Sequence, residues 1–280
     1  MNNYLNYNGD LILDEGFSIP YHNRAFRYGD GFFETIRCAQ GKPLWMLQHY
    51  ERISKSARIL KFRLPEYADV EFFSEKISEL LEANGYIAGA RVRLSIYRDA
   101  TGFYRPDDDK SGFLIESLPL ENEKYQLNKD GLMAGVFNEI RKPSNLLSNI
   151  KSSNALIYIL ASVYAREQGW NDALILNSEG FIAEATSSNV FAVKENSIYT
   201  PDLNQGCVEG VMRGVILELL STAGYSVYEC SLLPEDLLDV DEVFLSNTIS
   251  GVQWLKGFEY KRYYHKISSL LIDLLNSNKA

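Results

Sequence analysis

Three stretches decide how this chain is read: Ile150-Lys151-Ser152-Ser153-Asn154, then Gly180-Phe181-Ile182-Ala183-Glu184-Ala185-Thr186-Ser187-Ser188-Asn189-Val190-Phe191, then Glu209-Gly210-Val211-Met212-Arg213. A lysine taken alone is a solvated surface charge. Lys151, however, sits where an apolar, strand-rich region meets an expected helix start. Desolvation and the positive end of a helix both favour the neutral amine there, the form that attacks an aldehyde. Glu184 lies among small residues ahead of an apolar strand. It reads either as a turn carboxylate capping backbone amides or as an anion that keeps a pyridine nitrogen protonated. Gly210 opens a helix whose first amides can seat a phosphate, and Leu245-Ser246-Asn247-Thr248 ends a strand with hydroxyls able to reach one. His49-Tyr50-Glu51-Arg52 lies on a helix. There Arg52 either pairs with a nearby glutamate of the same helix or lends a bidentate charge to a phosphate.

A reactive lysine, a partner for a ring nitrogen and a phosphate seat, in that order along one chain, are the parts of a pyridoxal-phosphate site. Composition bounds the alternatives. Hydrophobic residues make up 46% and charged residues 23%, as in an ordinary globular enzyme. With 28 basic against 37 acidic residues the net charge is −9, and no basic stripe stands out, which argues against nucleic acid as a partner. Cys38, Cys207 and Cys230 are far apart with no CxxC pair, so reduced thiols are expected rather than disulfides or a zinc site, and no metal is expected. Met1-Asn2-Asn3-Tyr4-Leu5 lacks the basic and apolar pattern of a signal peptide, and no apolar run is long enough to span a bilayer. A cytoplasmic protein acting on small molecules, without a membrane partner, is the expectation.

At 280 residues the chain predicts two domains. A hairpin is expected over residues 4–14 around Asn8-Gly9-Asp10, a polar segment over Arg24–Asp30, a strand from Phe32 to Cys38 and a turn at Gly41-Lys42-Pro43. A helix follows from Leu47 to Leu60. A second helix is capped by Asp69 and ended by Asn84-Gly85. Arg91–Tyr97 and Phe113–Ile115 read as strands. Leu118-Pro119-Leu120-Glu121-Asn122-Glu123 is aperiodic and proline-marked, which puts a linker at 118–126 between domains of 1–117 and 127–280. Beyond it, strands are expected near Leu132–Phe137, Ala173–Leu176, Val190–Val193, Ile198–Thr200, Val227–Leu232 and Val243–Ser246. One helix follows Lys151, burying Leu156, Ile159, Leu160 and Val163 and ending at Gly169. Another runs from Gly210 to Gly224 through Val215, Ile216, Leu219 and Leu220. The fold class is α/β (α+β).

These motifs together resemble the class IV, or fold-type IV, pyridoxal-phosphate enzymes: branched-chain aminotransferases, D-amino-acid aminotransferases and aminodeoxychorismate lyases. The resemblance covers nearly the whole chain, from Asn8-Gly9 through Phe26-Arg27-Tyr28-Gly29-Asp30-Gly31-Phe32-Phe33-Glu34-Thr35-Ile36-Arg37 and Tyr199-Thr200-Pro201 to Gly210-Val211-Met212-Arg213. It implies a small N-terminal α/β domain and a larger C-terminal domain with a barrel-like sheet, in a homodimer. It implies Lys151 as the catalytic lysine and Glu184 as the partner of the ring nitrogen. Arg52, the amides of Val211 and Met212, and Thr248 are implied around the phosphate, with Ser188 and Asn189 also at the cofactor. Tyr28, Phe33, Arg93, Tyr97 and Arg105 are the candidate substrate contacts, although each arginine reads equally as a solvated strand-edge charge. The implied chemistry moves an amino group between an L-amino acid, branched-chain or similarly apolar, and a 2-oxo acid; the alternative is the lyase that forms 4-aminobenzoate and pyruvate. Leu156 stands where branched-chain enzymes usually carry a tyrosine, Met212 matches the Gly-Ile-Met-Arg of some lyases, and Arg105-Pro106-Asp107 lacks the histidine of D-amino-acid enzymes. Phe33-Glu34-Thr35-Ile36-Arg37-Cys38 resembles the Phe-Glu-Gly-Ile-Arg-Cys of branched-chain enzymes.

Overall fold

Asn8 and Gly9 both take positive φ, 52° and 104°, the conformation a two-residue hairpin turn demands and an Asn-Gly step supplies. They join β1 (Tyr4–Tyr7) to β2 (Asp10–Leu13). The computed structural model describes residues 3–277. It divides into two compact units, one running to Lys124 and taking in Ile150–Asn154, the other holding Tyr125–Asn149 and continuing from Ala155.

The first unit continues with α1 (Arg24–Tyr28), β3 (Gly31–Ala39), β4 (Lys42–Pro43), α2 (Met46–Leu60), α3 (Val70–Asn84), β5 (Gly89–Arg98) and β6 (Ser111–Pro119). The polar segment at Arg24 is thus a short helix, capped by the Asn23 side chain, which accepts from Ala25 N and Phe26 N. The turn expected at Gly41-Lys42-Pro43 lies one step earlier, at Gln40-Gly41, so that Lys42 and Pro43 pair back on Ala39 and Cys38. α3 starts at Asp69, which accepts from Phe72 N, and stops at Gly85 in the left-handed region, as its sequence signals require. Among the described residues the sheet runs β2-β1-β6-β5-β3-β4, with every neighbouring pair antiparallel. Alternation along β5 and β3 sends Val92, Leu94, Ile96, Phe32 and Ile36 into a core shared with Ile53 and Ala57 of α2 and Phe73, Ile77 and Leu80 of α3.

The second unit contains β7 (Leu132–Lys142), α4 (Leu156–Glu167), β8 (Asp172–Asn177), β9 (Ile182–Ala185), β10 (Asn189–Lys194), β11 (Ser197–Pro201), α5 (Val211–Thr222), β12 (Ser226–Cys230), β13 (Glu242–Asn247), β14 (Gly251–Phe258), β15 (Lys261–Arg262) and α6 (Lys266–Ser277). Among the described residues its sheet runs β12-β11-β10-β13-β14-β7-β8-β9, with β15 beside β14. β9, at one end of that order, also approaches β10 and β11 near the other, so the sheet curls into a half-barrel. Its interior is filled by Leu174, Leu176, Ile182, Val190, Val243, Leu245, Leu255 and Phe258.

The helix after Lys151 starts later than the sequence suggests and faces the other way. It begins at Leu156, five residues on, so Lys151 is not at a helix terminus. Ala161 and Ala165 are its buried residues, packed with Ile157, Tyr158 and Tyr164 against Phe137, Ala173 and Ile175. Leu156, Ile159 and Leu160, expected inside, are exposed, Leu156 by 74%. The helix is apolar on two sides, and the sheet selects the side whose small alanines let it approach closely. No described helix is long and apolar enough to cross a membrane.

Candidate active site

The predicted residues fall into two sets, one in each unit. In the first unit, the segment holding Lys151 lies alongside the start of β3. Phe33 N donates to the Lys151 carbonyl at 3.0 Å, Ser153 N to the Gly31 carbonyl at 2.9 Å, and Phe32 bridges Ser152. These backbone bonds put the Lys151 ammonium 4.7 Å from the centre of the Phe33 ring. The Arg93 guanidinium lies 3.6 Å from the same ring and donates to Ser95 Oγ at 3.1 Å. Register explains the grouping: Gly31 pairs Tyr97, Phe33 pairs Ser95 and Thr35 pairs Arg93, so all six share the sheet face turned away from α2 and α3. Tyr97 donates to the Tyr7 hydroxyl at 2.9 Å, and burial pushes its own hydroxyl pKa upward.

Tyr28 closes α1, with its ring 5.5 Å from Tyr104 and the guanidinium carbons of Arg24 and Arg27 at 5.1 and 5.3 Å. Arg105 is exposed in the loop after β5. Asp107 accepts from Thr101 Oγ1 at 2.7 Å and so braces its own loop.

Arg52 does not pair along its own helix. It reaches across to Glu34 on β3, with Nε bonded to Oε1 at 2.8 Å and Nη2 bonded to Oε2. His49, one turn earlier and fully buried, bonds Glu34 Oε2 through Nδ1 at 2.6 Å. Burial alone would raise the Glu34 pKa, but Arg52 and His49 overcome it and hold the carboxyl down at about 2. The His49 pKa is pushed down, chiefly by burial and against the opposing pull of Glu34, with the charges of Arg52 and Lys151 adding to the fall. Local spacing does not reveal Glu34 and His49 as partners of Arg52, since three residues from two elements meet only through the fold.

In the second unit Glu184 lies on β9, where a turn was one reading, and is buried. Its Oε1 accepts from Lys142 Nζ and from the Tyr158 hydroxyl at 2.8 Å, and its Oε2 accepts from Val208 N at 2.9 Å. Burial, then the neighbouring Glu184 charge, raises the Tyr158 pKa. Burial raises the Cys207 thiol to about 12, and Glu184 contributes to that as well. Neither Lys142 nor Tyr158 was expected at the site, because nothing in local spacing links positions 42 and 26 residues away from Glu184. A buried lysine at the end of a strand is the signal that was available only once burial was known.

The same Val208 ties Glu184 to the rest of this set, because its carbonyl accepts from Asn189 Nδ2 at 2.9 Å. Asn189 pairs Ser246 across β10 and β13, and Ser188 Oγ accepts from Asn247 Nδ2 at 3.0 Å. Gly210 caps α5 without a side-chain bond, and a methyl group there would collide with Asn189 Oδ1. Val211 and Met212 are the first, buried residues of that helix, and Thr248 is buried just beyond β13, its carbonyl accepting from the Tyr125 hydroxyl at 3.1 Å. Ser246 Oγ is buried with no hydrogen-bond partner among the described residues. The amides at the start of α5, a buried Ser246 hydroxyl without a partner among the described residues, and a carboxylate with three of about four acceptor positions used by the protein fit a phosphorylated pyridine. In the other unit, an amine beside an aromatic ring fits an aldehyde.

The fold and these residues define a fold-type IV enzyme. The model of the family "Amino-transferase class IV" matches residues 31–256, and the chain belongs to that family, whose members are pyridoxal-phosphate enzymes. Among its relatives, a putative branched-chain-amino-acid aminotransferase of Methanocaldococcus jannaschii is 30% identical over 88% of this chain and 84% of the relative. The aminodeoxychorismate lyase of Vibrio harveyi is 29% identical over 85% of this chain and 87% of the relative. Among solved structures, a branched-chain aminotransferase from Thermoproteus uzoniensis with norvaline superimposes with a TM-score of 0.90, covering 98% of this chain and 94% of that one at 24% identity, which establishes the shared fold.

Proposed function

We propose that this enzyme moves an amino group between an L-amino acid with a branched or similarly apolar side chain and a 2-oxo acid. The observation that carries the reading is the grouping of Lys151, Phe33 and Arg93 on one sheet face. An amine, an apolar surface and a fixed cation are what an apolar amino acid needs for its reacting carbon, side chain and carboxylate. Pyridoxal phosphate supplies the aldehyde that takes up the amino group and a ring that accepts electrons from Cα. In this reading the Lys151 amine would hold that aldehyde group and would carry a proton to and from the substrate Cα. Glu184 would receive the ring N–H. Arg52, the amides of Val211 and Met212, and Thr248 hold the phosphate, with Ser188 and Asn189 beside them. Tyr28, Phe33, Arg93, Tyr97 and Arg105 line the substrate. The exposed Leu156, Ile159 and Leu160, one turn apart on α4, support a homodimer, since an exposed apolar helix face of this kind marks an interface. Three unpaired, dispersed cysteines support a cytoplasmic setting.

A second reading, the lyase that releases pyruvate from aminodeoxychorismate, is favoured by Met212 at the helix start and by Leu156 in place of a tyrosine. One pair of assays separates them. Purified protein given leucine and 2-oxoglutarate is expected to yield glutamate, and protein given aminodeoxychorismate no pyruvate. Pyruvate without glutamate overturns the first reading.

A further inference from the structure

Lys142 is an unusual lysine, because burial of an ammonium costs several kcal/mol unless its partners are well placed. It sits at the end of β7, 5% exposed. The β7–β8 ladder breaks after Phe137 and resumes at Lys142 opposite Asn177. Such irregularities re-aim side chains, and here the ammonium meets the Ser148 carbonyl at 2.9 Å, the Glu184 carboxylate, and the Tyr158 ring with its centre 5.4 Å away. Tyr158 donates to the same oxygen, Oε1, that Lys142 holds. Oε2 faces a backbone amide. Fold stability alone does not call for this arrangement, since buried ion pairs are often replaced by apolar residues without loss.

We propose that Lys142 is a positioning residue: with Tyr158 it fixes Oε1 of Glu184, holding the carboxylate turned so that it can receive the N–H of the cofactor ring. The inference rests on Glu184 being the ring partner. A carboxylate that loses the donor fixing one of its oxygens is free to turn, and the ring nitrogen then loses its aligned acceptor. The effect would act through Glu184, with no contact between Lys142 and the cofactor needed.

The test compares holoproteins of wild type, Lys142→Gln, Lys142→Arg, Tyr158→Phe and Glu184→Gln, reading the dissociation constant for pyridoxal phosphate and the visible absorption band. Lys142→Gln is expected to weaken cofactor binding on the order of ten- to a hundredfold, as the loss of a charge-assisted bond would, and to shift the band in the same direction as Glu184→Gln. Lys142→Arg keeps the charge and should bind the cofactor more tightly than Lys142→Gln, with the visible band at the wild-type position. If Lys142→Gln does not fold, Tyr158→Phe carries the same prediction at smaller size, about threefold. An unchanged constant and band in both Lys142→Gln and Tyr158→Phe overturn the proposal, as does an arginine variant as weak as the glutamine one. If Glu184→Gln itself matches wild type, the reading of Glu184 fails and the inference falls with it. If Glu184→Gln is impaired while Lys142→Gln is not, only the inference fails.

Discussion

Glu34 and Glu184 are both buried carboxylates on strands, each with three protein donors, yet they are held differently. Both partners of Glu34 come from a single helix, one turn apart, and both of its oxygens meet ring or guanidinium nitrogens. It is a clamp inside the first unit's core, fastening α2 to β3. Glu184 takes its donors from the end of β7, from α4 and from the loop before α5. Its surroundings are stitched to Asn189 and the start of α5 through one residue, Val208. A carboxylate held from one helix stiffens packing; one held from three elements can be aimed. Disturbing the first should therefore be felt mainly in stability, with a lesser effect on turnover through Arg52, and disturbing the second in turnover.

The largest effect is expected from neither. Lys151→Ala removes the amine itself, and turnover should fall on the order of ten-thousandfold or more while the unfolding midpoint stays close to wild type. Measured activity above a hundredth of wild type would remove the functional reading of the first unit's sheet face. Glu34→Gln leaves Arg52 buried without its anion, and should cost about 3 to 5 kcal/mol in denaturant unfolding. A cost below about 1 kcal/mol would mean the clamp is not structural. Glu184→Gln should lower turnover roughly a hundredfold, by weakening the ring's hold on electrons from Cα, with a normal circular-dichroism spectrum at 25 °C. Should Glu34→Gln and Glu184→Gln behave alike, the contrast between clamp and aimed carboxylate is lost.

The smallest effect is one of pH. Both His49 and Glu34 have folded pKa values below their ordinary ones, so the unfolded chain binds more protons on acidification and stability falls with pH. The His49 share begins near its ordinary value of 6.5, and the Glu34 share is lost between 4.5 and about 2. One proton contributes a slope of at most about 1.4 kcal/mol per pH unit. His49→Gln should flatten the slope just below pH 6.5 and leave the loss below pH 4.5 in place. A wild-type slope in the variant would assign the effect elsewhere.

Legibility followed the range of the interactions. The Asn8-Gly9 hairpin, the Asp69 and Gly85 caps of α3 and the alternation of Val92, Leu94 and Ile96 are set by neighbours, and sequence reasoning placed them. α1, β9, β14, β15 and α6 were not read out, β9 because four residues leave little periodicity and β14 because Gly251 and Gly257 interrupt its pattern. α4 was found, but its buried face was not, since periodicity cannot choose between two apolar sides. At the site, ordered motifs pointed to Lys151, Glu184 and Gly210, whereas Glu34, His49, Lys142 and Tyr158 enter through contacts 15 to 42 residues apart.

Ile150–Asn154 belongs with the unit whose other residues end at Lys124, so the chain leaves that unit, makes a strand of the other and comes back before leaving again. During synthesis the first unit therefore cannot complete itself when its last sheet strand, ending at Pro119, emerges from the ribosome. It waits some thirty residues for the short piece bearing Lys151, which arrives as the final stitch of an otherwise finished body.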